Sequence, residues 1–552
     1  MSAARGRTGP AARAGGRGVE PALALWLVAG ALVRVLVAFP VHRFYADADS
    51  SLTALHALRI LDGAPVVFFN GYRLGAAGCW VAAALFGLLG PVDAALAATP
   101  LLFDLGTLVV GALFVREVLG ADGARFALPL VALPPPAVTF WTGMPVAYAE
   151  VLFACALCLW AAALVARRGP SPARAALLGC ALGFALWTSL LALCAALPAL
   201  LWTWPRRREL GRRAALAALA TFALGSAPWW AVNLREGFPS LRQNFAARAV
   251  DTPEGARANL DYTVSTRLPE LLASTRALVA LVPSRAARRA GATLMLAIWG
   301  AAAACALLDL ARRRGPPAPG AAPARTAAAL AFGVAAAVLA ANVFSAAGAR
   351  RPGEDTVRYL LPIALVLPLL AAGLVRGAGG RRRTGVACLA VLVAWSAAGV
   401  FWPGHPERAR WAEERRQDRR QAGRLLGSGV EALAGSYSHA YPYNYLTRAA
   451  VRGVPVEPRL DFLAVAATLP ERPVRWALIG RGAADRERLE RCGARLLPQG
   501  RLEEVGSGRW VWSGGELEPR GLDARGQLAQ VRAACPDLGR KSLPADPERL
   551  DG

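Results

Sequence analysis

Asp47 and Asp49 stand one residue apart in FYADADSSLTALHALRILDG, residues 44–63, directly after an apolar run long enough to cross a bilayer. Acids in that place can serve two ends. DADSS can start a helix, because its side-chain oxygens accept from the unpaired N–H groups of a first turn and its charge favours the helix dipole. Asp49 or Ser50 fits that role. Asp47 is less needed for it and follows Phe44 and Tyr45, an aromatic pair of the kind found at membrane interfaces. A carboxylate in the lowered dielectric there can act as a base on a substrate held at the lipid surface. Asp47 and Asp49 are therefore the candidate catalytic acids, with both readings open for Asp49.

Other residues offer the complementary chemistry. Arg358 precedes Tyr359 in VRYLLP, at the expected outer start of an apolar segment. It reads either as a snorkelling anchor or as a guanidinium that grips a phosphate through two parallel hydrogen bonds. Arg350 and Arg351 are alternatives. Glu150, in GMPVAYAEVLF, opens another apolar segment at the same face. A charge entering a membrane helix is costly, so Glu150 should face a polar cavity, where it could position an acceptor or a metal. Asp104 lies near mid-membrane by length, and Arg34 is its nearest partner; such a pair fixes helix register more than it adds stability.

Metal chemistry has little support. His42, His56, His405 and His439 do not cluster and read as surface or interface residues, and the nine cysteines show no metal spacing. Cys155 and Cys158 form a CxxC inside an apolar helix and read as packing. Cys492 and Cys535 can pair if their region is extracytoplasmic. SYSHAYPYNYL, residues 436–446, carries tyrosines able to stack on sugars, but packing is the commoner use.

These residues need elements to hold them. The chain of 552 residues is 55% hydrophobic, with a mean hydropathy of +0.36. Its net charge of +25 does not point to nucleic acid, because the arginines form short blocks between apolar runs, as in cytoplasmic loops. Spans are expected near 21–40, 94–115, 125–141, 145–166, 174–189, 190–204, 214–234, 290–311, 326–346, 357–376 and 384–402. The two short ones at 174–204 could be one long tilted helix. The apolar stretch 74–90 is left on the surface. Then Arg167/Arg168, Arg206–Arg208, Arg212/Arg213, Arg312–Arg314 and Arg381–Arg383 all face the cytoplasm with the N-terminus, giving about eleven spans and an outer C-terminus.

The expected organisation follows. Residues 1–20 are a basic cytoplasmic tail ahead of an uncleaved first span, and 21–402 form the transmembrane part. A first outer loop runs over 41–93, where Leu52, Leu55, Leu58 and Leu61 suggest a helix on the membrane surface. A second runs over 235–289, with an amphipathic stretch near 271–282. Residues 403–515 read as a small extracytoplasmic α/β domain: VEALAGSY, VRWALIG and RWVWSGG as strands, DRERLERCGARLL as a helix. Residues 516–552 read as a loosely ordered tail. The fold class is a polytopic α-helical membrane protein with a small outer α/β domain.

DADSSLTALHALRILDG after a first span, then FFNGYRLGAAGCWVAAALFGLLG, then RYLLPIALVLPLLAAG, resembles in order and architecture the GT-C class of integral-membrane glycosyltransferases over about 20–402. Within it the chain is similar to bacterial relatives of protein O-mannosyltransferases and of the aminoarabinose transferase acting on lipid A. The resemblance implies a sugar taken from a polyprenyl-phosphate carrier and passed to a lipid, glycan or protein outside the cytoplasm of a bacterial inner membrane. It implies that Asp47, matching the first acid of the family's pair, acts on the acceptor. The family often has adjacent acids, whereas Ala48 separates them here. Arg358 and Tyr359, with Glu150, become the substrate-binding candidates. No cofactor is implied beyond the lipid-linked donor, and a divalent metal stays open. The rival readings are a transporter or flippase, and an inactive envelope-binding scaffold; no internal repeat of the kind common in transporters is found.

Overall fold

The structure is a computed structural model of the chain, describing residues 19–44, 48–69, 71–246, 252–274, 284–311, 321–344, 357–375, 380–401, 406–448, 450–456, 469–506, 509–514, 517, 522–535 and 538. The chain divides into two compact units. One comprises 1–38, 100–143 and 148–403; the other comprises 39–99, 144–147 and 404–552. The first outer loop, expected with the membrane part, thus groups with the C-terminal region.

The first unit is helical. Its members are most of α1 (Val19–Phe44) and of α4 (Asp93–Ala132), then α5 (Pro136–Thr142), α6 (Tyr148–Arg168), α7 (Pro172–Thr188), α8 (Leu193–Thr203), α9 (Arg212–Glu236), α10 (Pro239–Ala246), α11 (Pro253–Tyr262), α12 (Leu268–Ala273), α13 (Arg285–Ala311), α14 (Ala321–Phe344), α15 (Leu361–Ala364), α16 (Leu367–Leu374) and α17 (Gly380–Phe401). Each expected span overlaps one or two of these helices; 125–141 covers the end of α4, a break at 133–135 and most of α5. By length and composition alone, five described helices can cross a membrane, and the pair Val357–Ala364 and Leu367–Leu374, bent by 55°, would be a sixth. The count of eleven is therefore not reached by that measure, because several helices are short or broken.

The breaks have local causes. Gly120 adopts φ 71° and ψ 175°, a conformation open to glycine, and it divides α4 between the expected spans 94–115 and 125–141. The halves double back, since a Cβ on Gly111 would lie 3.3 Å from Val131. At 174–204 the chain forms two helices rather than one tilted helix. Ser189 is extended, and a 3-10 turn over Leu190–Ala192 separates α7 from α8. Gly179 and Gly183 lie four apart on α7, and a Cβ at either would sit 2.1 Å from Ala218 O or 2.3 Å from Phe222 O of α9. Such small-residue faces let membrane helices approach backbone to backbone. Thr221 Oγ1 adds a 2.7 Å bond to Ala176 O across the pair. Arg34 and Asp104 are buried and paired at 3.2 Å, and Arg34 Nη1 also donates to Ala132 O at 2.7 Å.

The second unit contains α2 (Ala48–Leu61), α3 (Ala77–Leu89), the start of α4 and a sheet with its helices. The sheet order is β2 (Arg452–Pro455), β1 (Ala432–Gly435), β3 (Trp476–Arg481), β5 (Arg509–Ser513), β4 (Arg501–Gly506). The β1–β2 and β1–β3 pairs are parallel and the other two antiparallel. Both faces are covered, so β3 reads as one apolar run. Ala432, Ala434, Trp476 and Leu478 pack with residues of α21 (Gly482–Leu496) and α22 (Ala524–Ala534). Leu433, Ala477 and Ile479 pack with Ala422 and Leu425 of α18 (Pro406–Gly427). Two short helices, α19 (Tyr437–Ala440) and α20 (Pro442–Leu446), follow β1.

Two expectations change here, and the Cys492–Cys535 pairing is met. The stretch 516–552 contains α22, whose Leu528 and Val531 are buried; their spacing of three is a helical face that a short polar helix masks. Cys492 and Cys535 form a disulfide with Cα atoms 5.7 Å apart. The leucine row of α2 packs only in part: Leu52 is buried and Leu55 and Leu58 pack partly buried, but the row does not lie on an exposed surface face as a whole. Ser50, Ser51, Thr53, Ala54 and Ala57 are buried while Leu61 is 50% exposed, because small side chains let α3 and α20 come close.

Candidate active site

Arg358 lies in the 3-10 turn Val357–Leu360 that opens the broken pair α15–α16. The turn is held by Asn342 of α14, whose Nδ2 donates to Tyr359 O at 3.2 Å. The Arg358 guanidinium is set among three rings: Trp141 at 5.3 Å, Tyr148 at 5.5 Å and Tyr359 at 5.3 Å. It also donates to Tyr359 Oη at 3.4 Å. Trp141 and Tyr148 meet edge to face, 5.5 Å between centroids. A snorkelling anchor would extend toward water or headgroups. This guanidinium instead has its faces fixed by aromatic quadrupoles, which orients the planar fork.

A second cation was missed in the sequence. Arg267 ends a π-helical turn, Thr263–Arg267, a wide turn that occurs frequently at functional sites. It is only 2% exposed. Its guanidinium lies 4.8 Å from the Tyr262 ring centroid, and Nη1 donates to Thr263 Oγ1 at 3.2 Å. Burial pushes its pKa below the usual arginine range, opposed by Tyr262 and by Tyr359, the residue beside Arg358. Two bonds pin the following α12. Ser274 Oγ accepts from Ala137 N at 3.0 Å, and Trp395 Nε1 donates to Ala273 O at 2.9 Å. One signal was present: Thr263, Arg267 and Leu271 recur every four residues, and Leu271 is fully buried, so the row lies on an inward face.

Glu150 is buried in the first turn of α6, two residues after Tyr148. Its Oε2 meets no hydrogen-bond partner among the described residues. The first unit thus brings Glu150, Arg358 and Tyr359 to neighbouring helix starts and adds Arg267.

The second unit carries the acids. Asp47, like Arg350 and Arg351, lies outside the described residues. Asp49 is partly exposed in the first turn of α2, where an anion favours the helix dipole. One turn on, Thr53 Oγ1 is hydrogen-bonded to Pro145 O. His56 continues this face. Its Nε2 bonds Phe69 O at 2.9 Å and its Nδ1 is buried without a partner among the described residues. Burial lowers its pKa to about 4, only partly offset by the Phe69 bond. His56 is half-buried with its ring edge-on to Phe69, and so is an interface residue. His439 is likewise depressed to about 4 by burial, against the opposing charge of Asp485, and its Nδ1 lies 2.9 Å from Ser436 Oγ. Among the described residues, no three His, Cys, Asp or Glu come close enough to hold a metal ion.

No family model and no curated protein sequence matches the chain. Solved structures do. A crystal structure of ArnT from Cupriavidus metallidurans bound to undecaprenyl phosphate superposes over 89% of this chain and 97% of that one, with a TM-score of 0.60 at 14% identity. The fold is that of ArnT. The apo form of ArnT gives a TM-score of 0.57 at 14% identity, over 89% and 98% of the two chains. An Archaeoglobus fulgidus oligosaccharyltransferase gives 0.48 at 10% identity over 90% and 73%. The resemblance to GT-C enzymes thus holds at the level of the ArnT-like fold, and it extends past 402 into the C-terminal sheet, beyond the reach of the sequence motifs.

Proposed function

We propose that the chain is a membrane glycosyltransferase that moves a sugar from a polyprenyl-phosphate carrier to a lipid, glycan or protein acceptor outside the cytoplasm. The observation that carries this reading is the fold shared almost end to end with ArnT, whose structure holds undecaprenyl phosphate. The aromatic setting of Arg358 supports it, since a fixed guanidinium suits a phosphate leaving group.

The chemistry is a single displacement at the anomeric carbon. Asp47 takes the proton of the acceptor hydroxyl or amine as its lone pair attacks. The bond from the sugar to phosphate breaks, and its electron pair leaves with the polyprenyl phosphate. Arg358 and Arg267 offset that charge, and Tyr359 lies beside both. Glu150 positions the acceptor, and Asp49 caps α2 or shares the proton. No step is routed through a metal. The enzyme sits in a bacterial inner membrane with its C-terminal region outside; the Cys492–Cys535 disulfide supports an oxidising compartment for that region.

The test compares envelope lipids, glycans and glycoproteins by mass spectrometry in a null strain, a wild-type strain and an Asp47→Asn strain at matched expression. A sugar lost in both the null and the variant is the expected outcome. An Asp47→Asn strain with a wild-type envelope beside a changed null would overturn the assignment and move the scaffold or transporter reading ahead.

A further inference from the structure

We infer that α18, α19 and α20 act as a clamp on the first loop, with Asp93, Arg415, Arg419, Tyr441 and Tyr445 as positioning residues for sugar transfer. This rests on the reading above that the first loop supplies the base.

The clamp is built on α18, which carries opposite charges on two adjoining faces. Glu414 and Asp418, one turn apart, turn to the sheet. Glu414 Oε1 accepts from Arg481 Nη2 at 2.9 Å. Asp418 pairs with Arg509 and accepts from Tyr443 Oη at 3.2 Å. Arg415 and Arg419, also one turn apart, turn to the first loop, and both meet Asp93 there, Arg415 at 3.3 Å. Asp93 is the residue with which that loop ends and α4 begins. Arg415 is 7% exposed, so its pairing with Asp93 is shielded from water in a way a surface pair is not. Tyr445 Oη donates to the same Asp93 Oδ1 at 3.2 Å. Three donors from the C-terminal region therefore converge on one carboxylate of the loop.

The tyrosines extend the grip to the first turns of α2. Tyr445 shares a packed cluster with Ala54 and Ala57 of α2 and Phe86 of α3. Tyr441 shares one with Ala48 and Leu52. Ala48 is the residue between Asp47 and Asp49. Both tyrosines follow β1, whose neighbours β2 and β3 lie on opposite sides. That carboxyl edge is where open parallel sheets present ligands. Here α19 and α20 turn it onto α2. The tyrosine-rich motif 436–446 thus packs, as its composition suggested, but what it packs against is α2, the helix that carries Asp49.

The test uses the full-length protein. Asp93→Asn keeps shape and removes the charge; Tyr445→Phe removes one hydroxyl. Asp93→Arg with Arg415→Glu and Arg419→Glu reverses the pairing. Envelope sugar transfer is measured in the null strain, and binding of undecaprenyl phosphate and the melting temperature are measured on purified protein. Displacing the base should lower transfer about ten- to a hundredfold in Asp93→Asn. Undecaprenyl phosphate affinity should stay within about twofold, because the clamp does not hold the donor, and the reversed triple variant should recover most of the loss. Transfer at the wild-type rate in Asp93→Asn and Tyr445→Phe overturns the clamp alone, provided Asp47→Asn still abolishes transfer. Loss of transfer and of undecaprenyl phosphate binding together, with no recovery on reversal, shows general unfolding and also overturns it. A wild type that transfers no sugar overturns the reaction and the clamp together.

Discussion

At the scale of residues, the two arginines are the sharpest point of difference between pattern and geometry. Arg358 was visible because it opens an apolar segment beside a tyrosine. Its ring contacts come from Trp141 and Tyr148, more than two hundred positions earlier, and no local spacing reports such a meeting. Arg358→Lys keeps the charge but loses the planar fork and its stacking. It should weaken undecaprenyl phosphate binding about tenfold, read as a dissociation constant on purified protein. Arg267→Gln should cost about as much or more, because its site is more fully buried. The histidines give a prediction about stability. His56 and His439 each fall from 6.5 to about 4 in the fold, so the unfolded chain binds the proton more readily. Their contribution is intact above pH 6.5 and is lost as pH falls from 6.5 toward 4. The full loss is on the order of 3 kcal/mol per histidine. Melting temperatures followed over that window should fall steadily, and His56→Gln should flatten the fall.

At the scale of elements, the helices were legible where apolar runs are long, since membrane-length hydropathy is a strong local signal. The strands β1, β3 and β5 were legible as short apolar runs. β2 and β4 were not, because RGVP carries a proline at a sheet edge and RLEEVG alternates charge with few apolar residues. The helix α22 was missed for a similar reason: its burial depends on Leu528 and Val531 meeting α21 and the sheet, which its polar composition hides. The Cys492–Cys535 bond ties α21 to the end of α22 across a separation of 43 residues. By the loop-entropy relation, removing it should cost roughly 4 kcal/mol. Cys535→Ser should lower the melting temperature measurably, and a reductant should do the same to the wild type while leaving Cys535→Ser unchanged.

At the scale of the whole molecule, the orientation in the membrane is the claim that the arginine blocks carry. α3 has 13 residues, about 20 Å of helix, short of a hydrocarbon core of about 30 Å. That supports leaving 74–90 on the outer surface. A cysteine placed at Val92, which is 46% exposed, should react with an impermeant thiol reagent added from the outer side of intact spheroplasts. Labelling only from the cytoplasmic side would reverse every later loop and remove the eleven-span arrangement.

Composition and the order of apolar and basic segments were enough to determine a many-helix membrane protein, the place of its acids after the first span, and a resemblance to one class of glycosyltransferase. Those features are local: they depend on runs and neighbours within a few turns of helix. Tertiary structure alone decided which distant groups meet. It set Arg358 among Trp141, Tyr148 and Tyr359, and it joined the first loop to α18 and α20 of the C-terminal region through Asp93. The physical reason is that charge pairs and ring contacts act over a few ångströms, while the residues that make them are separated by hundreds of positions along the chain.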